Sequence, residues 1–503
     1  MFGTRDFALR KLRQIGPRYM PFADVAREDL PLSRLLRLSL FQVTVGMALV
    51  LLVGTLNRVM IVELAVPATL VGVMISLPLL FAPFRALIGY RSDIHHSALG
   101  WRRVPYIWKG TMLQFGGFAI MPFALLVLSG FEEAADAPLW IGHSSAALAF
   151  LLVGAGVHMV QTVGLALATD LVPVEEQPKV VGLMYVMLLV GMIASALIFG
   201  ALLADYTPGK LVRAVQGAAV VTVALNLLAL WKQEARDRVR ANTVQTHPDF
   251  IDAWRLFVRG RTAVGLLVVI ALGTMGFGMA DVLLEPYGGQ VLGMSVAMTT
   301  RLTAVLALGG LVGFAVASRV LLRGRDPVDV AWWGTIAGLP AFAFITVSGP
   351  LGLPGLFVAG TGLAGFGAGL FGHGTLTATM RSAPRAQTGL ALGAWGAVQA
   401  TAAGIAVALG GLIRDLVTTL PGAESFRPEV PYLPVFTLEL LLLAAALVAI
   451  ALLRRDSARA PRTEPRTMRQ ARPDRPAATQ HPPPLAPRIT ERDAHDGTRL
   501  TAR

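Results

Sequence analysis

Charged side chains inside long apolar segments are the residues of this sequence with the clearest chemical potential. Arg58 lies towards the end of the first apolar segment, and Asp281 and Glu285 lie four residues apart in a later one. This spacing places both carboxylates on one face of a helix. Because a buried charge without a partner is expensive, we predict that Arg58 pairs with Asp281 or Glu285, as a fixed clasp, a gate or a contact to a substrate.

Composition identifies the environment of these charges. The chain has 503 residues, 54% of them hydrophobic and 15% charged, with a mean hydropathy of +0.61. Soluble proteins carry about 25% charged residues. Apolar segments of about twenty residues recur, each long enough to cross a bilayer as a helix, so the sequence predicts a polytopic membrane protein. The absence of cysteine excludes disulfides, thiolate metal sites and a cysteine nucleophile.

The apolar segments predict an all-α membrane protein with twelve transmembrane helices in two six-helix halves. The two halves are similar in length, and the longest internal polar segment separates them, as in transporters built from parallel repeats. The predicted helices cover 38–64, 66–90, 105–128, 144–172, 179–203, 211–231, 262–286, 295–322, 328–347, 353–380, 386–412 and 433–453.

The same pattern divides the chain into five parts. A cytoplasmic N-terminal segment (1–37) precedes the first six-helix bundle (38–231), and a central cytoplasmic loop with an amphipathic helix (232–262) follows. The second six-helix bundle (263–454) leads into a basic cytoplasmic tail (455–503). The tail has few apolar residues and is predicted to be disordered.

The distribution of positive charge orients these helices. Short cytoplasmic loops carry an excess of Lys and Arg, and this excess predicts that both termini are cytoplasmic. The net charge of +13 therefore reflects membrane topology and does not indicate a nucleic-acid partner. Six of the 44 Lys and Arg residues then lie on the periplasmic side: Arg58, Lys210, Arg213, Arg301, Arg414 and Arg427.

The loop between the second and third predicted helices carries the most specific motif. It reads GYRSDIHHSALGWRRVPYIW over 89–108. Gly89, Asp93 and Gly100, followed by Arg102 and Arg103, resemble the loop signature of the major facilitator superfamily, with a longer gap after the aspartate.

Longer strings in the chain resemble one branch of that superfamily, the PucC/LhaA family, the proposed bacteriochlorophyll-delivery branch that helps to assemble bacterial light-harvesting antennae. Besides the loop, the resemblance rests on LSLFQVTVGMALVLLVGTLNRVMIVEL (38–64), LALATDLVP (165–173) and ADVLLEPYGGQVLGMS (280–295). Within the family, GWRRVPYIWKGTMLQFGGFAIMPFALLVLSG (100–130) favours the LhaA type, which is associated with the core antenna.

The resemblance implies the major facilitator fold and a non-enzymatic role in assembling light-harvesting complex 1 or 2. It implies bacteriochlorophyll a as the bound pigment, with carotenoid or lipid as further ligands, and magnesium bound only through the pigment. The implied partners are light-harvesting alpha and beta polypeptides, the reaction centre–LH1 complex, bacteriochlorophyll synthase and membrane lipids. The implied location is the bacterial inner, intracytoplasmic photosynthetic membrane.

By the same resemblance, four residues at the cytoplasmic ends of helices form a charge relay. We interpret this relay as a structural lock that holds the cytoplasmic side closed, without catalysis. Its members are Asp93, Arg102, Arg103 and Asp170.

Two histidines within predicted helices, His158 and His373, are candidate pigment ligands, and Gln161 follows His158 by one helical turn. A neutral imidazole can bind the magnesium of a bacteriochlorophyll, whose ring nitrogens already fill four positions. The alternative for each histidine is a packed side chain bonded to a backbone carbonyl. Eight glycines between Gly355 and Gly374 fit close helix packing or a flat face against a pigment.

Two other functions fit the sequence. The first is a proton-coupled carrier of a small solute, in which Asp281 or Glu285 is protonated. The second is a chaperone for antenna peptides that never binds pigment. The sequence contains no G-x-x-x-x-G-K-[ST] nucleotide loop, no HExxH motif and no G-x-S-x-G motif, which disfavours an ATP-driven pump, a zinc peptidase and an α/β-hydrolase.

Overall fold

The computed structural model describes most of the chain between residues 30 and 459, and what it describes is almost entirely helical. The described residues are 30–80, 85, 88, 91–92, 101–130, 134, 136–173, 176–234, 261–382 and 388–459. Asp93, the amphipathic helix predicted in the central loop and the tail beyond residue 459 lie outside them.

Twelve apolar helices make up the described bundle, and eleven of these are long enough to cross a membrane. The protein is therefore a multi-pass membrane protein, as predicted. We number the helices α1 Leu32–Glu63, α2 Ala68–Leu80, α3 Val104–Ser129, α4 Leu139–Asp170, α5 Gln177–Leu202, α6 Pro208–Leu230, α7 Ala263–Gln290, α8 Val296–Leu322, α9 Pro327–Leu351, α10 Pro354–Ser382, α11 Thr388–Thr418 and α12 Leu433–Arg459.

The outward faces of these helices are apolar. Side chains such as Trp140, Val220, Leu441 and Val448 are more than half exposed. Exposed apolar surface on this scale is unusual for a soluble protein and is expected where helices contact lipid.

Two helices depart from regular α geometry, and both departures lie beside the candidate site. After Leu49, α1 continues as two π-helical stretches, Val50–Leu56 and Val59–Glu63. The α-helical part of α7 ends at Gly278, and a short 3₁₀ turn, Ala280–Val282, separates it from Leu284–Gln290. π-helical turns are often found at functional sites.

The break in α7 follows from its sequence. Glycine lowers helix propensity, and Gly278 is the last residue before the break. Pro286 has no N–H, so the carbonyl of Val282, four residues earlier, loses its helical donor. The chain therefore leaves a free backbone carbonyl that a side chain elsewhere must satisfy.

Glycines set the spacing of α8, α9 and α10, with α10 lying between the other two. A Cβ at Gly360 would lie 2.8 Å from the carbonyl oxygen of Ala341 in α9, and one at Gly369 would collide with the backbone of Gly310 in α8. Of the two uses predicted for the glycine-rich helix, the structure shows close helix packing. These glycines let the backbones touch without side chains between them.

The helix pairs with the most extensive contact between α1–α6 and α7–α12 are α2 with α11 and α5 with α8, and α1 also contacts α7 and α8. The joined helices form one compact unit that extends to Ala458. The candidate site lies within this unit, where α1 meets α7.

Candidate functional site at the broken helix

The break in α7 is held by side chains from two other helices. The Glu439 carboxylate of α12 accepts a hydrogen bond from the Ala280 N–H at 2.6 Å. The Asn57 side chain of α1 donates to the Val282 carbonyl at 2.8 Å, which is the carbonyl that Pro286 leaves without a helical donor. Both free backbone groups are therefore satisfied by side chains that are themselves buried.

A cavity of about 170 Å³ lies beside this break. Two carboxylates face it, and the rest of the wall is mostly apolar. Its lining is Leu49, Val53, Gly54, Met192, Asp281, Leu284, Glu285, Leu302, Thr303, Leu306 and Thr361, from α1, α5, α7, α8 and α10.

The two cavity carboxylates are poorly compensated. Glu285 is 3% exposed; Thr303 donates to its Oε1, while Oε2 has no hydrogen-bond partner among the described residues. Asp281 is half-buried, and no described residue donates a hydrogen bond to it. Such groups in a membrane protein are functional candidates.

Arg58 pairs with a different carboxylate from the one that we predicted. Its Nη1 contacts Glu63 Oε1 at 2.5 Å, and among the described residues it has no ion pair with Asp281 or Glu285. The predicted pair is therefore wrong. The reason is the π-helical turn between the two residues, because its wider turn brings residues five apart onto one face.

Arg58 still links the two halves, through backbone groups. Its Nη2 donates to the Met294 carbonyl at 3.1 Å, and its guanidinium packs against Gly289. The loop between α5 and α6 also approaches the pair, since burial and the nearby Glu63 carboxylate raise the pKa of Tyr206 to about 12 despite the opposing effect of Arg58. Tyr206 therefore stays a neutral phenol at ordinary pH.

Further hydrogen bonds join the halves on the same, predicted periplasmic side. Asp415 of α11 accepts from the Thr69 N–H at 2.7 Å and from its hydroxyl at 2.8 Å, at the start of α2. The Thr55 and Thr300 hydroxyls lie 3.2 Å apart. These hydrogen bonds hold α1 against α8 and α2 against α11 on this side.

The cytoplasmic residues predicted to form a relay are partly brought together. Arg103 Nε donates to Asp170 at 3.1 Å, and Arg102 lies 3.9 Å from the same carboxylate oxygen. Arg103 also donates to Ser92 at 2.7 Å. The contribution of Asp93 stays a prediction, because this residue lies outside the described part of the chain.

A glutamate that the sequence reasoning missed completes this cytoplasmic region. Glu234, after α6, accepts backbone N–H bonds from Arg102 at 2.8 Å, Arg103 at 3.1 Å and Val104 at 2.9 Å. These are the free donors at the start of α3, where a negative charge is favoured. Glu234 therefore ties the end of α6 to the beginning of α3.

His158 of α4 is half-buried and has no hydrogen-bond partner among the described residues. Its Nδ1 atom is not accessible to solvent. Arg85 lies close enough to interact with His158 electrostatically. The same arginine donates to Gln161 at 3.0 Å and to Thr162 at 2.9 Å. Gln161 is thus engaged by a protein side chain, whereas the His158 imidazole is not.

The other histidine is packed. His373 Nε2 lies 3.3 Å from the Ser318 hydroxyl, and its ring centroid lies 4.1 Å from that of Phe314. Both partners belong to α8. His373 therefore has the contacts of a packed side chain, with a hydroxyl in place of the expected backbone carbonyl.

The residues fit a pigment at His158 better than in the central cavity. Pockets for small ligands have volumes of about 300–1,000 Å³, so a cavity of about 170 Å³ is too small for a chlorin. An imidazole without a protein partner is free to bind a metal. Among the described residues, no cluster of three or more His, Asp or Glu side chains could hold a metal directly.

Comparison with known sequences gives the family. The family model described as "PUCC protein" matches residues 55–457. The chain belongs to the PUCC protein family. It is 70% identical over 413 residues to "Protein PucC" of Rhodovulum sulfidophilum, covering 82% of this chain and 91% of that protein. It is 63% identical over 460 residues to "Protein PucC" of Rhodobacter capsulatus, covering 90% of this chain and 99% of the relative.

A more distant relative is the "Bacteriochlorophyll synthase 44.5 kDa chain" of Rhodobacter capsulatus, 28% identical over 405 residues that cover 78% of this chain and 90% of that one. The expected LhaA type is not confirmed, since the relatives at 60% identity or more carry the name PucC.

Solved structures show the fold. A point mutant of the nucleoside transporter NupG superposes with a TM-score of 0.62 at 14% identity, covering 84% of this chain and 99% of the transporter. An inward-facing bacterial homolog of the lysosomal transporter Spinster gives 0.61 at 16% identity, covering 84% and 96%. The predicted major facilitator fold is confirmed. At these sequence identities the similarity shows the fold but does not indicate the substrate.

Proposed function

We propose that this protein is an assembly factor for light-harvesting complexes that holds bacteriochlorophyll a and transfers it to newly inserted antenna polypeptides. Membership of the PUCC family over 55–457 supports the role in antenna assembly. The unpartnered imidazole of His158 supports the binding of pigment. The protein acts by binding and positioning and performs no covalent step.

The pigment is the cargo of this protein, and His158 is the residue that holds it. A neutral imidazole nitrogen supplies an axial ligand to a magnesium already bound by four ring nitrogens. Because the cavity beside the break in α7 is too small for a chlorin, we propose that the pigment binds at His158 with its hydrocarbon chain in contact with lipid. Arg85 keeps Gln161 and Thr162 engaged on the face of α4 that carries His158.

The proposed partners are light-harvesting alpha and beta polypeptides, the reaction centre–LH1 complex and bacteriochlorophyll synthase. The relative that is named as a chain of bacteriochlorophyll synthase supports a place next to pigment synthesis. The proposed location is the inner photosynthetic membrane with both termini in the cytoplasm, which the distribution of Lys and Arg supports.

The deciding experiment is an absorption spectrum of the protein purified gently from its native membrane and separated from free antenna. We expect a near-infrared bacteriochlorophyll band at a fixed ratio to protein. His158→Leu removes this band, whereas His373→Leu, a matched change at a packed histidine, retains it. Equal loss in both variants, or none in either, contradicts the assignment of His158.

A colourless protein that retains antenna peptides would replace the proposal with a chaperone that does not bind pigment. A colourless protein without antenna peptides would favour the second candidate function, a proton-coupled carrier. The observation behind that candidate is the group of three carboxyls at the break in α7, the half-buried Asp281 and the buried Glu285 and Glu439. Its test is proton movement coupled to solute uptake in proteoliposomes.

A further inference from the structure

Acidic groups outnumber basic ones around the central cavity. Asp281 and Glu285 line it, and Glu439 lies behind them, close enough to repel Asp281. Among the described residues, Arg58 lies close enough to Glu285 to interact with it electrostatically, but the Arg58 guanidinium already pairs with Glu63. In the part of the chain that the structure describes, one arginine is therefore close to two of four carboxyl groups, and the carboxyl groups that line the cavity have no cation of their own.

One of these carboxylates has an unused oxygen in a sealed position. Glu285 is 3% exposed, and its Oε2 has no hydrogen-bond partner among the described residues. A buried polar atom without a partner is unfavourable unless a ligand or a proton supplies one. Asp281, one helical turn away, likewise accepts no hydrogen bond from a described residue. Asp281 therefore offers free acceptor oxygens to whatever enters the cavity, and Glu285 adds a second carboxylate to the same wall.

The remainder of the wall shows which kind of cation fits. Leu49, Val53, Met192, Leu302 and Leu306 present apolar surface. A hard inorganic cation requires about six or more oxygen ligands, which this wall does not supply. An alkylated ammonium needs little hydrogen bonding and gains from contact with apolar groups while its charge faces the carboxylates.

We propose that the cavity between α1, α7 and α8 binds a small organic cation of the alkylammonium class, with its charge held by Asp281 and Glu285 and its alkyl groups against the leucines. A volume of about 170 Å³ limits the ligand to a few heavy atoms. This site is separate from the pigment at His158, and its occupant is not the neutral pigment.

The test uses the purified full-length protein and two probes of the same shape. Choline carries the charge, and 3,3-dimethyl-1-butanol replaces its ammonium nitrogen by carbon. Binding is measured by calorimetry and by the shift in the temperature of thermal unfolding. The pH is set well above the ordinary pKa of an Asp or Glu side chain in water. We expect choline to bind saturably and the alcohol to bind at least about tenfold more weakly, because it lacks the charge-assisted interaction.

Variants locate the site. Asp281→Asn and Glu285→Gln each weaken choline binding by about tenfold or more, whereas Asp205→Asn, the same change at an exposed loop residue, leaves it unaltered. Leu306→Phe retains both carboxylates and fills the cavity, so it abolishes binding. The thermal unfolding transition of each variant shows whether that variant is folded.

Three results would overturn the proposal. Equal binding of choline and the alcohol would show an apolar cavity without a role for charge. Sodium competing with choline at matched ionic strength would show an inorganic ion site. Absence of choline binding to the unaltered protein would mean that protons alone neutralise the carboxyls. No pigment is present in these binding measurements, so their outcome does not depend on whether the antenna-assembly proposal is correct.

Discussion

The Glu439 carboxylate of α12 accepts a hydrogen bond from the Ala280 N–H of α7 at 2.6 Å, at the point where α7 stops being an α-helix. Glu439 is fully buried. An acidic side chain thus takes the place of the helical acceptor that the interrupted helix does not provide for this N–H. The break in α7, which shapes the central cavity, therefore depends on a residue more than 150 positions away in the sequence.

Replacement of Glu439 by leucine leaves the Ala280 N–H buried without an acceptor. We expect the free energy of unfolding to fall by about 1–3 kcal/mol. Glu439→Gln retains an acceptor oxygen and should lose much less. Thermal unfolding in detergent, followed through the eight tryptophans, measures both. Equal losses in the two variants would contradict the role assigned to the hydrogen bond.

The pair of Arg58 and Glu63 should behave as one unit. Glu63→Met leaves the buried Arg58 with its backbone contact to Met294 alone, and should reduce stability by about 1–3 kcal/mol. The double variant Arg58→Met/Glu63→Met should be milder than the sum of the two single variants, because neither charge is then left unpaired. A double-mutant cycle measures this coupling, and strictly additive losses would exclude it.

The role of glycines in the packing of α10 can be tested by comparing two glycines that lie two residues apart. A Cβ at Gly374 would lie 2.6 Å from the backbone nitrogen of Ala331 in α9, whereas a Cβ at Gly372 meets no atom within 4 Å. Gly374→Ala should therefore destabilise the protein by about 1–3 kcal/mol. Gly372→Ala should be neutral or stabilise by up to about 1 kcal/mol. Comparable melting temperatures for both variants would refute the packing argument.

Glu234 should matter more than an ordinary helix cap. Glu234→Ala removes the acceptor of three N–H groups at the start of α3 and should reduce stability by about 2 kcal/mol. Asp326→Ala is the matched control. Asp326 directly precedes α9 and caps it through a single hydrogen bond of 2.8 Å from the Val328 N–H. Its expected effect is about 1 kcal/mol. An effect of Glu234→Ala below that of the control would argue against a tie between α6 and α3.

The positions of the helices could be predicted because their signal is local. A run of about twenty apolar residues bounded by polar ones identifies a span without knowledge of its neighbours. The largest differences lie at the ends: α1 begins at Leu32 instead of 38, α11 ends at Thr418 instead of 412 and α12 ends at Arg459 instead of 453. α7 continues to Gln290, beyond the break. Pro286 marked the predicted end of the seventh span, and its missing N–H does interrupt the helix, but the chain then resumes helical geometry.

Partners of charged residues could not be predicted in the same way. Regular helical spacing excludes contact between residues five apart, so nothing in the sequence indicated that Arg58 would pair with Glu63 across a π-helical turn. Glu439 was missed for a different reason. It is an isolated acid in the apolar run LELLLL, and the rule that selected Asp281 and Glu285 applies to it equally.

The cavity beside the break in α7 is too small to hold a chlorin. On the proposed route the pigment moves along the outside of the bundle, in contact with lipid. Such a handover requires no water-filled passage through the protein. On this route, delivery of pigment would not open a path for ions, so the ion gradient across the membrane would be maintained during antenna assembly.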